Sequence, residues 1–489
     1  MLKLRFGRLL LLLIFFTVFL AGCVSGPGEV FLQPVEKDKE VGREAARHVQ
    51  EEMGLVANSA AIAYLNAVGE RLVRVDPDQR FEYSFAIVDQ SVPNAFALPG
   101  GYVYVTRGLL MLTNNEDELA NIIGHEMIHI SDRHSAKQMA QMRLPTLLSI
   151  PGWIVGGVIN ENLGNLINLP VNLAGGAYLS KYSRADEYKA DVGGQQMAAL
   201  AGYDPRALAP ILDRLQQFVE VETGKKQIPG FFDTHPSTPD REERLNVYAQ
   251  NIDWTPQSGV AGSSDRHLRK VDGLLIGENP DAGVFQGSRF LQPQLGLFVT
   301  FPEGWKYVNT RQAVFALEPN KEAVTVLSIA GKGTDPHQTA EGLEKAMRDK
   351  YGIKPTRSES LQIGGLPAHF VDYVDKSEKE PMHLTFVWIA YREWIYQFVC
   401  LSPERYREIL RATVRSFRPL AAGEKASIKE KRLRIVAARS NETLSRLSKR
   451  TRNVWNVNTT AVVNGIDPNH KLKKGKLIKI AVQQPYKGS

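Results

Sequence analysis

Three ionisable residues stand inside an apolar run: His125, Glu126 and His129, in "ANIIGHEMIHISDRH" from Ala120 to His134. Histidines four apart lie one turn above each other on one helix face, with Cβ atoms roughly 5–6 Å apart. From there two ring nitrogens converge on one ion at about 2.0–2.1 Å. Glu126, next to the first histidine, falls beside such an ion and can take a proton from water held there. The spacing therefore predicts two metal ligands and a general base on one helix. The competing reading is a satisfied structural histidine pair in an awkward core. A second helical stretch, "SRADEYKAD" from Ser183 to Asp191, puts Glu187 and Asp191 four apart on one face. Alone, such a pair reads as a solvated helix surface. Downstream of H-E-x-x-H it reads as a third ligand, Glu187, and a carboxylate, Asp191, that holds the second ring nitrogen of a ligand histidine.

Elements must bring these residues together. Apolar residues recur at helical spacing through 40–53 and 59–73. "FEYSFAIVD" and "GYVYVT" alternate as strands, punctuated by Pro93, Pro99 and the pair Gly100–Gly101. Helices are expected around 107–140, 179–202, 205–220 and 238–250. This predicts a mostly helical domain with a small sheet over 35–252. Between the two site helices, Leu144 to Leu179 is apolar and Gly-rich, with Pro145, Pro151 and Pro170. It exceeds an ordinary connector. It reads either as buried core with turns, or as a lid or a patch that touches membrane or unfolded clients.

Residues 253–289, rich in Gly, Ser and Asp, read as a linker. From 290 to 420 strand-like segments dominate, with helices expected near 337–351 and 402–416, giving an α+β domain with an antiparallel sheet. No catalytic constellation stands out there. A small basic module is expected at 431–484. The fold class expected for the whole chain is α+β.

The chain has 489 residues, 43% of them hydrophobic, enough for two to four domains with their own cores. Its formal charge of +7 is concentrated: residues 424–489 hold 16 Lys and Arg against 4 Asp and Glu. A basic tail suits an acidic polymer or an anionic surface. Cys23 and Cys400 are the two cysteines and imply no disulfide framework. The N-terminus has the layout of an export signal: Lys3, Arg5 and Arg8, then an apolar run from Leu9 to Leu20, then Ala21 and Gly22. An uncleaved anchor is the alternative, but the run is short for a spanning helix of about 20 residues. No later segment reaches that length. An exported chain is not expected to meet nucleic acid.

Several motifs resemble known families. "LAGC" resembles a bacterial lipobox, which implies removal of residues 1–22, lipidation of Cys23 and a tether over 23–34. Val24 follows the cysteine, so no inner-membrane retention signal stands there and the outer membrane, periplasmic face, is implied. "HEMIH", "SRADEYKAD" and "THPSTPDR", with "PNAFALPGGYVYVTRGLL" upstream, resemble the gluzincin metallopeptidases of the HtpX and CAAX-prenyl-protease family, nearest its periplasmic BepA-like branch. That resemblance implies a zincin-type fold and one Zn2+ per chain, held by His125, His129 and Glu187. It implies Glu126 as the catalytic glutamate and Asp191 as the aspartate that supports a ligand histidine. Arg241 closes the last motif in a structural role. His235 belongs to the same motif and either plugs the water position or steadies the oxyanion. His134 matches no family role and is expected to be a charge at a helix C-terminus. Gluzincin substrates add as a strand to a sheet edge, which implies Asn94–Leu98 as that edge.

"GLFVTFPEGWKYV" is similar to the opening of PsbP-like domains. "NGIDPNHKLKKGKLIKI" resembles the end of a LysM module of βααβ order, which implies peptidoglycan as a partner. A basic helical tail on anionic surfaces is the alternative. Together these readings predict a zinc metalloendopeptidase of the cell envelope, acting on misfolded or unassembled envelope proteins. The alternatives are an assembly chaperone or scaffold with a closed metal site, and a cell-wall-binding protein with a structural metal. A purely structural site has no use for Glu126.

Overall fold

The computed structural model describes residues 34–141, 181–224, 230–236, 240–260, 262, 264–375 and 380–488. The expected signal peptide, Cys23 with its lipid, and the apolar segment 144–179 lie outside the described residues. Among the described residues, no helix is long and apolar enough to cross a membrane.

The first part is a helical layer around a small sheet. Helices α1 (Val35–Glu52) and α2 (Ser59–Val73) precede strands β1 (Ser84–Val88), β2 (Ala95–Leu98) and β3 (Tyr102–Thr106). The sheet order is β1-β3-β2, with β1 and β3 parallel and β2 antiparallel at an edge. The turn from β2 to β3 uses Gly100 and Gly101, both at positive φ. A Cβ on Gly101 would lie 2.1 Å from the carbonyl oxygen of Glu82, so only glycine fits there. A short helix, α3 (Arg107–Leu112), leads into α4 (Glu116–Ser131), which carries H-E-x-x-H. Asn115 caps α4 by accepting from the Glu118 amide, and Glu116, Asp117 and Glu118 face the positive end of its dipole. Leu119, Ile122, Ile123, Met127 and Ile130 bury this helix in the largest core.

After α5 (His134–Gln141), the described chain resumes and forms α6 (Arg184–Leu200), capped by the Ser183 hydroxyl. Helices α7 (Leu208–Thr223), α8 (Phe231–Thr234) and α9 (Arg241–Gln250) complete this layer. Where α4 and α6 cross, Gly124 faces Gly194: a Cβ on Gly194 would lie 2.7 Å from the His125 amide nitrogen. Two backbones touch at that point, which draws the two site helices together.

The stretch expected to be a linker, 253–289, is instead built into the protein. It contains α10 (Ser264–Val271), β4 (Leu275–Ile276) and β5 (Val284–Gln286), and it buries Val260, Leu268, Val271, Leu274 and Ile276. Its low density of apolar runs concealed a few well-placed ones. Strands β6 (Arg289–Gln292) and β7 (Leu297–Thr300) pair with β5 and with a two-residue strand, Arg418–Pro419. A seven-stranded antiparallel sheet spans Lys306 to Pro403. Helix Pro336–Tyr351 covers one face, with Ala340 and Met347 in its core, and helix Arg407–Arg415 the other, through Leu410 and Val414. The mixture of helices and sheets agrees with the α+β expectation.

The last segment runs strand, helix, helix, strand: Lys429–Ala437, Leu444–Thr451, Val457–Asn464 and Leu477–Pro485, the two strands antiparallel. The first strand also pairs with β4. Leu433, Val463 and Ala481 join the core that buries α4. Lys479 is fully buried, and its Nζ donates to the carbonyls of Met111, Leu112 and Thr113 at 2.7, 3.1 and 3.0 Å. These are orphan carbonyls at the end of α3, and they accept from a side chain whose pKa burial and Arg214 push well below the usual lysine value.

His267 of α10 is wholly buried between the hydroxyl of Tyr64 (2.7 Å from Nδ1) and the carbonyl of Thr113 (3.0 Å from Nε2). Nε2 therefore carries the proton and donates to Thr113, and Nδ1 accepts from Tyr64. Burial, then the nearby Lys479 ammonium, pushes its pKa down to about 3. The unfolded chain binds a proton near 6.5, so the neutral ring's stabilisation is present above about 6.5 and lost as pH falls toward the folded value. The free energy of unfolding should drop between about pH 6.5 and pH 4 by up to about 1.4 kcal/mol per pH unit from this group. Urea titrations across that range should show the slope, and His267→Gln should flatten it; an equal slope in both proteins contradicts the assignment.

Candidate metal centre

α4 projects His125 and His129 from one face, α6 brings Glu187 opposite, and the segment after α8 supplies His235. One ligand atom from each of these four buried residues lies within 4.8 Å of the other three. His125 Nε2 is 3.1 Å from His129 Nε2, 3.2 Å from His235 Nδ1 and 3.8 Å from a Glu187 oxygen. Glu187 Oε1 is 3.2 Å from His129 Nε2 and 2.9 Å from His235 Nδ1. Three nitrogens and a carboxylate oxygen thus face a common point, the donor set of a four-coordinate site.

The buried polar atoms support a cation there. Among the described residues, both Glu126 oxygens and His235 Nε2 are buried with no hydrogen-bond partner. Glu126 is wholly buried, and its Oε1 lies 3.3 Å from His235 Nε2. Unpartnered carboxylate oxygens in a dry pocket are expensive. A metal ion and the water it holds answer both needs.

Electrostatics divide the cluster. Burial raises the Glu126 pKa above the usual carboxylate range, only partly opposed by His235 and His125. Burial would raise Glu187 as well, but His235 and His129 outweigh it and hold that carboxyl well below its usual range. Burial pushes His129 far down, keeping the ring neutral as a ligand must be. Burial would also lower His235, but Glu187 and Glu126 on either side of it win and raise it. Two carboxylates thus favour positive charge at the corner His235 occupies.

Asp191 and Arg241 stand around the cluster. Asp191 Oδ1 lies 3.0 Å from His125 Nδ1, the ring nitrogen that points away from the centre. Arg241 binds both Asp191 oxygens, at 2.8 and 2.9 Å, and reaches Glu187 Oε2 at 3.0 Å. It fixes the two acidic residues of α6 relative to each other. β2, the expected substrate edge, is an edge strand, but Ala95 to Leu98 are all buried.

His134 corrects the sequence reading. It is no solvated helix-end charge: it is buried, starts α5, and sets its Nδ1 3.1 Å from His129 Nδ1. Burial lowers its pKa. Tyr182, which the sequence reading passed over, stacks on His129 with ring centroids 3.7 Å apart. Phe231 stacks likewise on His235 at 4.3 Å. The recoverable signal was the five-residue spacing of His129 and His134 across a helix break. Tyr182 and Phe231 carried no spacing signal, because tertiary packing alone places them.

Part of the chain matches a known family. Residues 59–249 match the model of Peptidase family M48. The chain is 27% identical over 226 residues to "Mitochondrial metalloendopeptidase OMA1" of Schizosaccharomyces pombe, covering 46% of this chain and 62% of that protein. It is 30% identical over 185 residues to "Beta-barrel assembly-enhancing protease" of Yersinia pestis, covering 37% of this chain and 38% of that protein. The chain therefore spans less than two thirds of either relative. A solution structure of cyanobacterial PsbP from Synechocystis covers 28% of this chain and 95% of its own at 13% identity, with a TM-score of 0.23, too low to assign a fold.

Ligand and supporting carboxylate should separate by metal content. Glu187→Ala should lose bound metal, whereas Asp191→Ala should keep it with affinity reduced roughly 10–100-fold. Elemental analysis and chelator competition measure both; stoichiometric metal in Glu187→Ala would remove that residue from the ligand set.

Proposed function

We propose that this chain is a zinc-dependent endopeptidase of the bacterial cell envelope that cleaves misfolded or unassembled envelope proteins. The observation that carries the proposal is Glu126: a wholly buried carboxylate, free of hydrogen bonds, set against a three-histidine, one-glutamate cluster. A structural metal site has no need of it. Similarity to a metalloendopeptidase and to a beta-barrel assembly-enhancing protease supports the reaction. The lipobox-like "LAGC" supports attachment at the outer membrane through Cys23. The strand-helix-helix-strand module at the C-terminus supports contact with peptidoglycan.

His125, His129 and Glu187 would hold the zinc. When bound, zinc lowers the pKa of its water toward ~7 and polarises a carbonyl oxygen. Glu126 accepts the proton of the attacking water and later returns it to the leaving amine. Burial raises its pKa above the usual carboxylate range, the direction that favours its holding a proton between the two steps. Asp191 and Arg241 keep His125 and Glu187 aimed. Burial of the cluster keeps bulk water away.

His235 stands at the fourth corner, where a neutral imidazole is a good zinc ligand. We read it as a plug that holds the enzyme idle until it withdraws. The same closed corner favours a second reading, an assembly chaperone or scaffold whose site stays shut.

Glu126→Gln should retain zinc and lose roughly 10²–10⁴-fold in proteolysis of an unfolded protein; equal activity would sink the enzyme mechanism. His235→Ala separates plug from oxyanion donor by sign. Withdrawal of a plug should raise cleavage, whereas loss of an oxyanion donor should lower it roughly 100-fold or more. Purified His235→Ala with unchanged zinc and clearly slower cleavage would reject the plug.

A further inference from the structure

We infer that His134 and Asp186 form a positioning relay that sets the tautomer and ring orientation of the ligand His129. The inference rests on the zinc site proposed above. It starts from which nitrogen of each ring faces what. His129 Nε2 faces the other ligands, 3.1 Å from His125 Nε2 and 3.2 Å from Glu187 Oε1. Its Nδ1 faces His134 Nδ1 at 3.1 Å.

A neutral imidazole has one proton and one lone pair. If the Nε2 lone pair of His129 goes to metal, the proton must sit on Nδ1. That proton points at His134 Nδ1, which must then accept. His134 is therefore neutral with its own proton on Nε2. That nitrogen lies 3.1 Å from Asp186 Oδ1 and 3.8 Å from Asp132 Oδ2, close enough for charge attraction although its N–H is not aligned on either oxygen as a hydrogen bond. Metal binding at one end thus dictates every proton position along the chain from His129 through His134 to Asp186. The opposite arrangement, with a proton on His134 Nδ1, forces a proton onto His129 Nε2 or sets two N–H groups against each other. Either outcome excludes the ligand.

The relay is held from outside. Asp186 accepts the Ser183 hydroxyl on its other oxygen at 2.7 Å, and Ser183 caps α6 through the Asp186 amide. The same first turn therefore carries the ligand Glu187 and the relay's carboxylate, side by side in sequence. Tyr182 stacks on the His129 ring and closes the remaining freedom, with its hydroxyl 3.1 Å from Ser135 Oγ. His125 is steadied by Asp191 directly. His129 gains the same service through one more imidazole, because α6 offers it no carboxylate within reach of Nδ1 except by way of His134.

The test uses the full chain and Zn2+ alone, titrated against a chromophoric chelator, with urea unfolding as a control. His134→Leu should raise the zinc Kd roughly 10–100-fold. His134→Asn places an oxygen where Nδ1 stood and should recover most of that loss, which a purely steric role would not allow. Asp186→Ala should fall between wild type and His134→Leu. In zinc-loaded wild type, histidine nitrogen NMR should show His129 protonated at Nδ1 and His134 at Nε2. A His134→Leu variant with wild-type zinc affinity overturns the relay, as does His134→Asn binding as weakly as His134→Leu with unfolding unchanged, or His134 protonated at Nδ1. A wild-type protein that binds no Zn2+ overturns the metal reading and the relay together; tight wild-type binding with an indifferent His134→Leu overturns the relay alone.

Discussion

The contact of α4 with α6 at Gly124 and Gly194 governs the centre. Helix axes normally sit 8–10 Å apart, separated by side chains. Here backbone meets backbone, and any Cβ on Gly194 would run into the main chain at His125. That closeness lets Glu187 and Asp191, on the shorter reach of acidic side chains, meet both histidines of α4. Neither helix has slack elsewhere. α4 is buried along nearly its whole length, and α6 is fixed through Arg241, whose guanidinium spans Glu187 and Asp191. A core this tightly packed transmits small displacements instead of absorbing them.

Charge is arranged as carefully as shape. Glu126 and Glu187 differ in the direction of their pKa shifts although both are buried a few ångströms from His235. The difference comes from partners. Glu187 lies within hydrogen-bond reach of His129, His235 and Arg241, while His235 and His125 only partly offset the burial of Glu126. One carboxyl is thereby favoured in its ionised form and the other in its neutral form. Buried polar networks reward full satisfaction and punish partial satisfaction, so the oxygens of Glu126, without a hydrogen-bond partner among the described residues, are the unsatisfied part of this cluster.

Much of the centre was legible in sequence because helices have a fixed period. His125 and His129, and then Glu187 and Asp191, are pairs four apart, and such pairs declare a shared face without knowledge of the fold. His235 and Arg241 were legible only by resemblance, since nothing local marks a loop histidine as a ligand. His134 was misread because the chain breaks at Asp132 and Arg133, the latter at positive φ, and restarts a helix in a new direction. Helical periodicity does not survive such a break. Gly194 was invisible for a related reason: a glycine within a helix signals close packing only once its neighbour is known. The stretch 253–289 misled through composition. Its polar majority resembled a tether, yet His267, Leu268 and Val271 on one face of α10 suffice to seat it in the core.

Lys479 gives the C-terminal module a mechanical meaning. Its ammonium is anchored on three carbonyls at the end of α3, two to four residues before α4 begins at the cap Asn115. Nearby, Arg214 pairs with Glu118 in the first turn of α4 at 2.7 Å, and Asn464 clasps the backbone of Lys479 itself. The joint is buried and held by hydrogen bonds from both Lys479 and Asn464. A tug on this module from outside would therefore be delivered, nearly undamped, to the root of the helix that carries His125, Glu126 and His129.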